Sequence, residues 1–230
     1  IFLTIFTTLG NVAFPRMSTM IHDSQKFDEA IRKSFLAVVP ISLFISTLVI
    51  MASPAVIQVL AGSKYSQSIQ LLKIFAPGIF VIALAQIFVS QILFPKGFEK
   101  EVLIRSLVVA VIGVCLAIGL TNKYGPSGAA YSVISAEVLM TVLLFIFCSQ
   151  RGFVAWGWVV KLIAKNSVVV CPGFFVVGLL GGGDGFGFTV FGAICLTMYT
   201  AYFFVAQVFL LRNEIIRTVF RRYLPSLVPL

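Results

Sequence analysis

The chain has 230 residues, 60% of them hydrophobic and 11% charged, with 17 Lys and Arg against 8 Asp and Glu. A mean hydropathy of +1.07 carries more apolar surface than a soluble domain of this length can bury, which excludes that class and points to a polytopic membrane protein. The net charge of +9 is spread over loops between apolar runs rather than gathered on one soluble face, so nucleic acid is not an expected partner.

Ile1 to Phe14 reads as part of a first span, with Thr4, Thr8 and Asn11 on one face, a stripe that points to a polar interior. The run is apolar and uncapped, as if a helix had been cut, and the first residue is not Met. The chain is therefore expected to begin inside a larger protein. From Pro15 to Ser34 the sequence turns polar, with Met17, Met20, Phe27 and Ile31 on one side and Asp28/Arg32 and Glu29/Lys33 paired at i,i+4. An interfacial amphipathic helix fits that pattern. His22, the single histidine, falls in this stretch and reads as a solvated loop residue.

Phe35 to Leu60 is the second span, marked by Pro40 and Pro54, with Ser42, Ser46 and Ser53 along one side. The third apolar run, Leu71 to Phe94, is about 36 Å long as a helix, enough to cross a bilayer of about 30 Å. Pro77 removes an amide there, so a bend or opening is expected. Gln86, Ser90 and Gln91 form a polar stripe whose face should look at protein or water, either as interhelical hydrogen bonds or as a wet path. A basic exit follows through Lys96 and Lys100. Leu103 to Thr121 and Ala129 to Ser149 are the next two spans, the latter entered through the small residues Gly128, Ala129 and Ala130 that allow close helix contact. Residues 150–166 read as a basic connector bearing Trp156 and Trp158, aromatics suited to a membrane interface. Ser167 to Leu180 and Phe186 to Leu211 complete seven spans, ahead of a basic tail.

Glu137 lies well inside the fifth span, where a charged acid costs about 2.5 to 3.5 kcal/mol on insertion scales. Two readings stand: an ion-coupling carboxylate that exchanges protons as its surroundings change, or a fixed structural group bonded to neighbouring helices. Thr141, one turn on, extends the same face. The four cysteines sit in separate apolar runs without metal-ligand spacing, as small buried hydrophobes. The glycine run 181–187 lacks the GK[ST] ending of a phosphate loop and reads as a turn. No catalytic constellation, metal site or cofactor is expected, and without a large hydrophilic loop a membrane glycosyltransferase or polymerase is disfavoured.

Alternating the loops puts Lys64, Lys73 and Lys123 on one side and the other fourteen of the 17 basic residues opposite. By the positive-inside rule the fourteen mark the cytoplasmic side, with the C-terminus among them.

The order FPRMS, VVP, AGSKYSQSIQLLKIFAP, QILFPKGFEKE and KYGPSGAAYSVISAE resembles the second half of the O-antigen and capsular oligosaccharide flippases (Wzx-type), in the polysaccharide transporter family of the multidrug/oligosaccharidyl-lipid/polysaccharide exporter superfamily. The resemblance implies an all-α, polytopic transmembrane bundle forming the second lobe of a two-lobe transporter. Residues 1–150 would be that lobe, truncated at its start, and residues 151–230 two additional helices and a cytoplasmic tail. It also implies translocation of an undecaprenyl-diphosphate-linked oligosaccharide across the inner membrane by alternating access, driven by an ion gradient. Thr4, Thr8, Asn11, Gln86, Ser90 and Gln91 would supply sugar hydrogen bonds, and Arg16 and Lys96 at the cytoplasmic mouth would meet the diphosphate. Implied partners are membrane lipid, the lipid-linked oligosaccharide, a missing N-terminal half of the same protein, and polysaccharide polymerase machinery. A multidrug or lipid II exporter of the same superfamily is the alternative.

The charge asymmetry yields a first test. Cysteines placed at Lys26 and Leu230 should react with membrane-impermeant thiol reagents only from the cytoplasmic side, and labelling of either from outside would break the topology.

Overall fold

The computed structural model describes residues 2–180 and 197–210. Seven helices follow one another among them, with no strand. They are α1 (Phe2–Met20), α2 (Ser24–Leu60), α3 (Gln67–Gln86), α4 (Glu99–Tyr124), α5 (Pro126–Gln150), α6 (Trp156–Leu180) and α7 (197–205). The all-α, polytopic expectation holds. Four of the described helical runs are long and apolar enough to cross a bilayer, namely Ser24–Leu60, Gln67–Leu93, Glu99–Tyr124 and Pro126–Gln150. The glycine run 181–187, Cys195 and the basic tail lie outside the described residues.

Two boundaries differ from those read in the sequence. The amphipathic stretch 15–34 is not a separate interfacial helix. α1 runs through Pro15 to Met20, a turn follows, and the Asp23 side chain caps the next helix by accepting from the Lys26 amide at 3.1 Å. The Lys26 ammonium and amide hold the Asp23 carboxyl below the usual carboxylate range. From Ser24 the chain then winds continuously for 37 residues, about 55 Å, so α2 outreaches the bilayer and its first turns stand clear of it. The apolar side of the 15–34 stretch packs inward, since Met17 of α1 and Phe27 and Ile31 of α2 are core residues. The Glu29–Lys33 pair forms at 2.6 Å, but Asp28 and Arg32 do not pair: the Arg32 guanidinium lies 5.5 Å over the Trp158 ring. The second difference is the connector 150–166, which shrinks to residues 151–155 because α6 already starts at Trp156. Trp158 meets Phe35 edge-on at 6.0 Å, and Trp156 stacks on Phe145 at 4.5 Å.

Phe35, with no exposed surface, is where three elements meet: it belongs to α2, touches Phe88 below α3 at 5.6 Å and Trp158 of α6. Serines inside α2 are buried but satisfied within the helix, Ser42 donating to the Val38 carbonyl at 2.7 Å and Ser53 to that of Ile50 at 2.8 Å. Of the described cysteines only Cys148 is the buried small hydrophobe expected; Cys115 and Cys171 face outward, where in a membrane the neighbour is lipid and burial in protein is not required.

Pro77 does not interrupt α3. The departure from α-helical register comes later, in a π-helical segment at Ile87–Leu93 that contains Ser90 and Gln91. Pro77 is exposed, whereas Gly78 is buried where a β-carbon would stand 2.6 Å from the Ile134 side chain of α5. Gly78 therefore serves close packing of α3 on α5.

The turn between α4 and α5 is a single residue, Gly125, at φ 61 and ψ −140, a conformation that only glycine adopts without strain. Immediately beyond it, a β-carbon on Gly128 would lie 1.9 Å from the Leu120 carbonyl oxygen. Gly128→Val should destabilise the α4–α5 hairpin by about 3 kcal/mol or more, because backbone rather than a flexible side chain must yield. Gly119→Ala, with nothing within 4 Å, is the matched control and should be neutral or slightly stabilising. Thermal unfolding of both variants in lipid nanodiscs measures the difference.

Candidate functional site

α1 carries two opposed faces. Phe6, Gly10 and Met17 form a buried seam, while Thr4, Thr8, Asn11 and Arg16 are exposed. The seam approaches very closely at Gly10, where a β-carbon would meet Ser90 Oγ at 3.0 Å and Gln86 Oε1 at 3.5 Å. Beneath it the Ser90 hydroxyl donates to Gln86 Oε1 at 3.0 Å. The two polar stripes read in the sequence are thus set apart, with the α1 backbone between them. Thr4, Thr8 and Asn11 look outward; Gln86 and Ser90 bond to each other under α1. Gln91, 4% exposed, has an Oε1 without a hydrogen-bond partner among the described residues. It sits in the π-helical segment, where backbone carbonyls are displaced from their α positions.

Lys96 is held between two aromatic rings. Its ammonium lies 4.2 Å from the Phe153 ring and 4.8 Å from that of Phe27. The local cause is a turn used twice. Lys96-Gly97-Phe98 ends the π-helical segment and Arg151-Gly152-Phe153 ends α5. Gly97 and Gly152 are left-handed at φ 76 and 70. The Phe98 amide reaches back to the Leu93 carbonyl at 2.9 Å, and the Phe153 amide to that of Cys148 at 2.9 Å. Both are glycine caps of one pattern, with the cation just before the glycine and the ring just after. They exchange partners: Lys96 sits on Phe153, Arg151 lies 5.4 Å from the Phe98 ring, and the two rings are 5.6 Å apart. Arg105 adds a third cation, 4.1 Å from the Phe147 ring and paired to Glu101 at 2.6 Å. Sequence reading found Lys96 and put Phe27 on an apolar face without its partner, but missed Phe153 and Gly10. The repeated basic-Gly-Phe triplet was the available signal for the caps.

Glu137 lies eleven residues into α5, about 16 Å from its start, and lines a cavity of about 530 Å3 between α2, α3 and α5. Thr141 does not extend a polar track into that space. Its hydroxyl is taken up by the Val81 carbonyl of α3 at 3.2 Å and the Glu137 carbonyl at 2.9 Å, stitching α5 to α3.

Comparison with known proteins places the chain in a family. Over 144 residues the chain is 24% identical to a protein of Escherichia coli (strain K12) described as "Putative O-antigen transporter", a match covering 62% of this chain and 35% of that protein. The chain thus spans about a third of the length of that curated relative. The family model described as lipid II flippase MurJ matches residues 2–182, which takes in α1 to α6 and the cation–aromatic caps. With more than half its length so matched, the chain belongs to the lipid II flippase MurJ family.

Proposed function

We propose that the chain forms one lobe of a carrier that moves a lipid-linked oligosaccharide from the cytoplasmic to the outer leaflet of the inner membrane by alternating access. The observation that carries this reading is the exposed stripe Thr4, Thr8 and Asn11 on a helix whose opposite side is already sealed against α3. The stripe shares the exposed surface of α1 with Leu9, Val12 and Phe14, and in this reading its polar groups face a hydrated path or a second lobe. A polar sugar head needs such a path, while its lipid tail stays in the bilayer. Family membership and the relative's description support a transporter rather than an enzyme. In this reading residues 1–150 are the lobe and residues 151–230 an appended pair of helices, with the C-terminus cytoplasmic. Arg16, beside the stripe, meets the anionic head group, and Lys96 holds its place through the rings. Gln86, Ser90 and Gln91 act when α1 moves off α3. Polysaccharide polymerase machinery receives the product.

Two head groups fit the family. The relative favours an O-antigen unit and the family model favours lipid II. The intact protein should restore surface O-antigen to a strain lacking its own O-antigen flippase. Rescue of a strain depleted of its lipid II flippase, without O-antigen, would move the substrate to lipid II, and failure of both would sink the carrier reading. Thr8→Leu with Asn11→Leu should cut export about tenfold or more while membrane abundance holds, since the polar path is lost and the packed seam untouched.

In the same reading Glu137 couples transport to an ion gradient. Glu137→Gln keeps the shape and removes the charge, so export should fall with abundance unchanged. Unaltered export would remove Glu137 from the mechanism, and lost abundance would make it a structural residue.

A further inference from the structure

Where α7 packs on α6, one buried hydrogen bond ties the two together. The Gln207 side-chain amide donates to Asn166 Oδ1 at 2.7 Å, across 41 residues of chain. Gln207 has no exposed surface and Asn166 only 1%. The acceptor is aimed by its own helix, since Asn166 Nδ2 donates to the Leu162 carbonyl of α6 at 2.8 Å and so presents Oδ1 to the neighbour. The donor stands in a second π-helical segment, Ala206–Leu210, directly after α7. The wider turn there rotates its side chains relative to an unbroken α-helix.

The contacts around the pair are apolar and do not by themselves choose a register. Val169 and Val170 of α6 share a buried cluster with Phe203 of α7, and Phe44 of α2 stacks on Phe203 at 4.4 Å and on Tyr199 at 5.6 Å. Lipid is as apolar as these side chains, so burying them against one another gains little over leaving them in hydrocarbon. Tyr199 and Phe203 lie one turn apart and both meet Phe44, so a slide of α7 by one turn, about 5.4 Å, replaces one ring by the other. The amides permit no such exchange. After the slide Asn166 and Gln207 would have lost each other in an apolar surround, which is costly at membrane depth.

We propose that Asn166 and Gln207 are positioning residues that fix the register of α7 on α6 and α2, so that the appended helices ride with α2 as one body. Their bond selects one packing among those the rings allow and is not the main source of stability, the use best attested for a buried polar pair. The inference goes beyond the carrier reading and does not rest on it, because its readout is a distance between helices rather than export.

Spin labels on Leu107→Cys of α4 and Val205→Cys of α7, both exposed positions, report that register by double electron–electron resonance on the intact protein in nanodiscs, with its native cysteines replaced by alanine. The parent should give one narrow distance. Asn166→Leu and Gln207→Leu should each broaden the distribution or split it by up to one helical turn, about 5.4 Å. Asn166→Leu combined with Gln207→Leu should unfold thermally close to the parent, because no amide is left unpaired, and should still show the broad distribution. Asn166→Gln combined with Gln207→Asn rebuilds the pair with its length shared the other way and should bring the narrow distance back. If the single variants fail to fold, the two double variants decide. A narrow distance in the double leucine variant would overturn the proposal, because the rings would then set the register alone, and failure of that variant to fold would make the pair a source of stability instead. A broad distribution in the parent, or an exchange variant that does not restore the narrow distance, would overturn it equally.

Discussion

The exchange of cations between two glycine caps is the contact on which the rest of the bundle depends. Helix C-termini carry a partial negative charge and unpaired carbonyls. At Lys96 and Arg151 the chain answers with a positive side chain, and at Gly97 and Gly152 with a backbone turn that saves some of those carbonyls. Because Lys96 rests on Phe153 and Arg151 on Phe98, each cap is completed by the other. A cation over a ring contributes about 0.5 to 2 kcal/mol, more as water is excluded. Phe27 brings the start of α2 into the same cluster, and Arg105 the first turns of α4. Four helix ends and two short turns are thereby fixed in one place. The cavity and the Gly125 turn belong to the other end.

Polar residues inside a membrane bundle do not all report a hydrated route. Ser42, Thr47, Ser53 and Ser132 each donate to a carbonyl three or four residues back, so their hydroxyls cost little wherever the helix goes. Gln91 and Glu137 differ, since no carbonyl of their own helix can satisfy an amide oxygen or a carboxylate. The chemistry of the side chain, donor or acceptor, separates residues that merely tolerate lipid depth from those that need a partner.

The apolar runs made the helices legible, because burial of backbone polar groups in hydrocarbon leaves a helix as the only form available to each run. The ends were less legible. Met17, Phe27 and Ile31 recur at the spacing of one helical face, and that spacing is the same whether the face meets lipid head groups or a protein core. Arg32 is four residues from Asp28 and far along the chain from Trp158, yet it takes the ring, a choice that only tertiary packing makes. The polar stripes show the same limit. Periodicity put Thr4, Thr8 and Asn11 on a face of α1 and joined Gln86 to Ser90, both correctly, but Gly10 decided that α1 would cover the second pair rather than share a surface with it. The cavity by Glu137 is a space between three helices, and a space has no residue of its own to be read.

α4 shows what a one-residue turn means for a helix in lipid. Only 11% of its apolar window is buried in protein, and Leu103, Leu107, Val111 and Ile118 all look outward. Gly125 leaves no slack between α4 and α5, so the two are held as a tight antiparallel pair. Lipid then dissolves the outer surface of α4 as readily as it would a lone span, and the helix is bound to the molecule through α5. A single glycine thus ties the depth of α4 in the bilayer to that of α5.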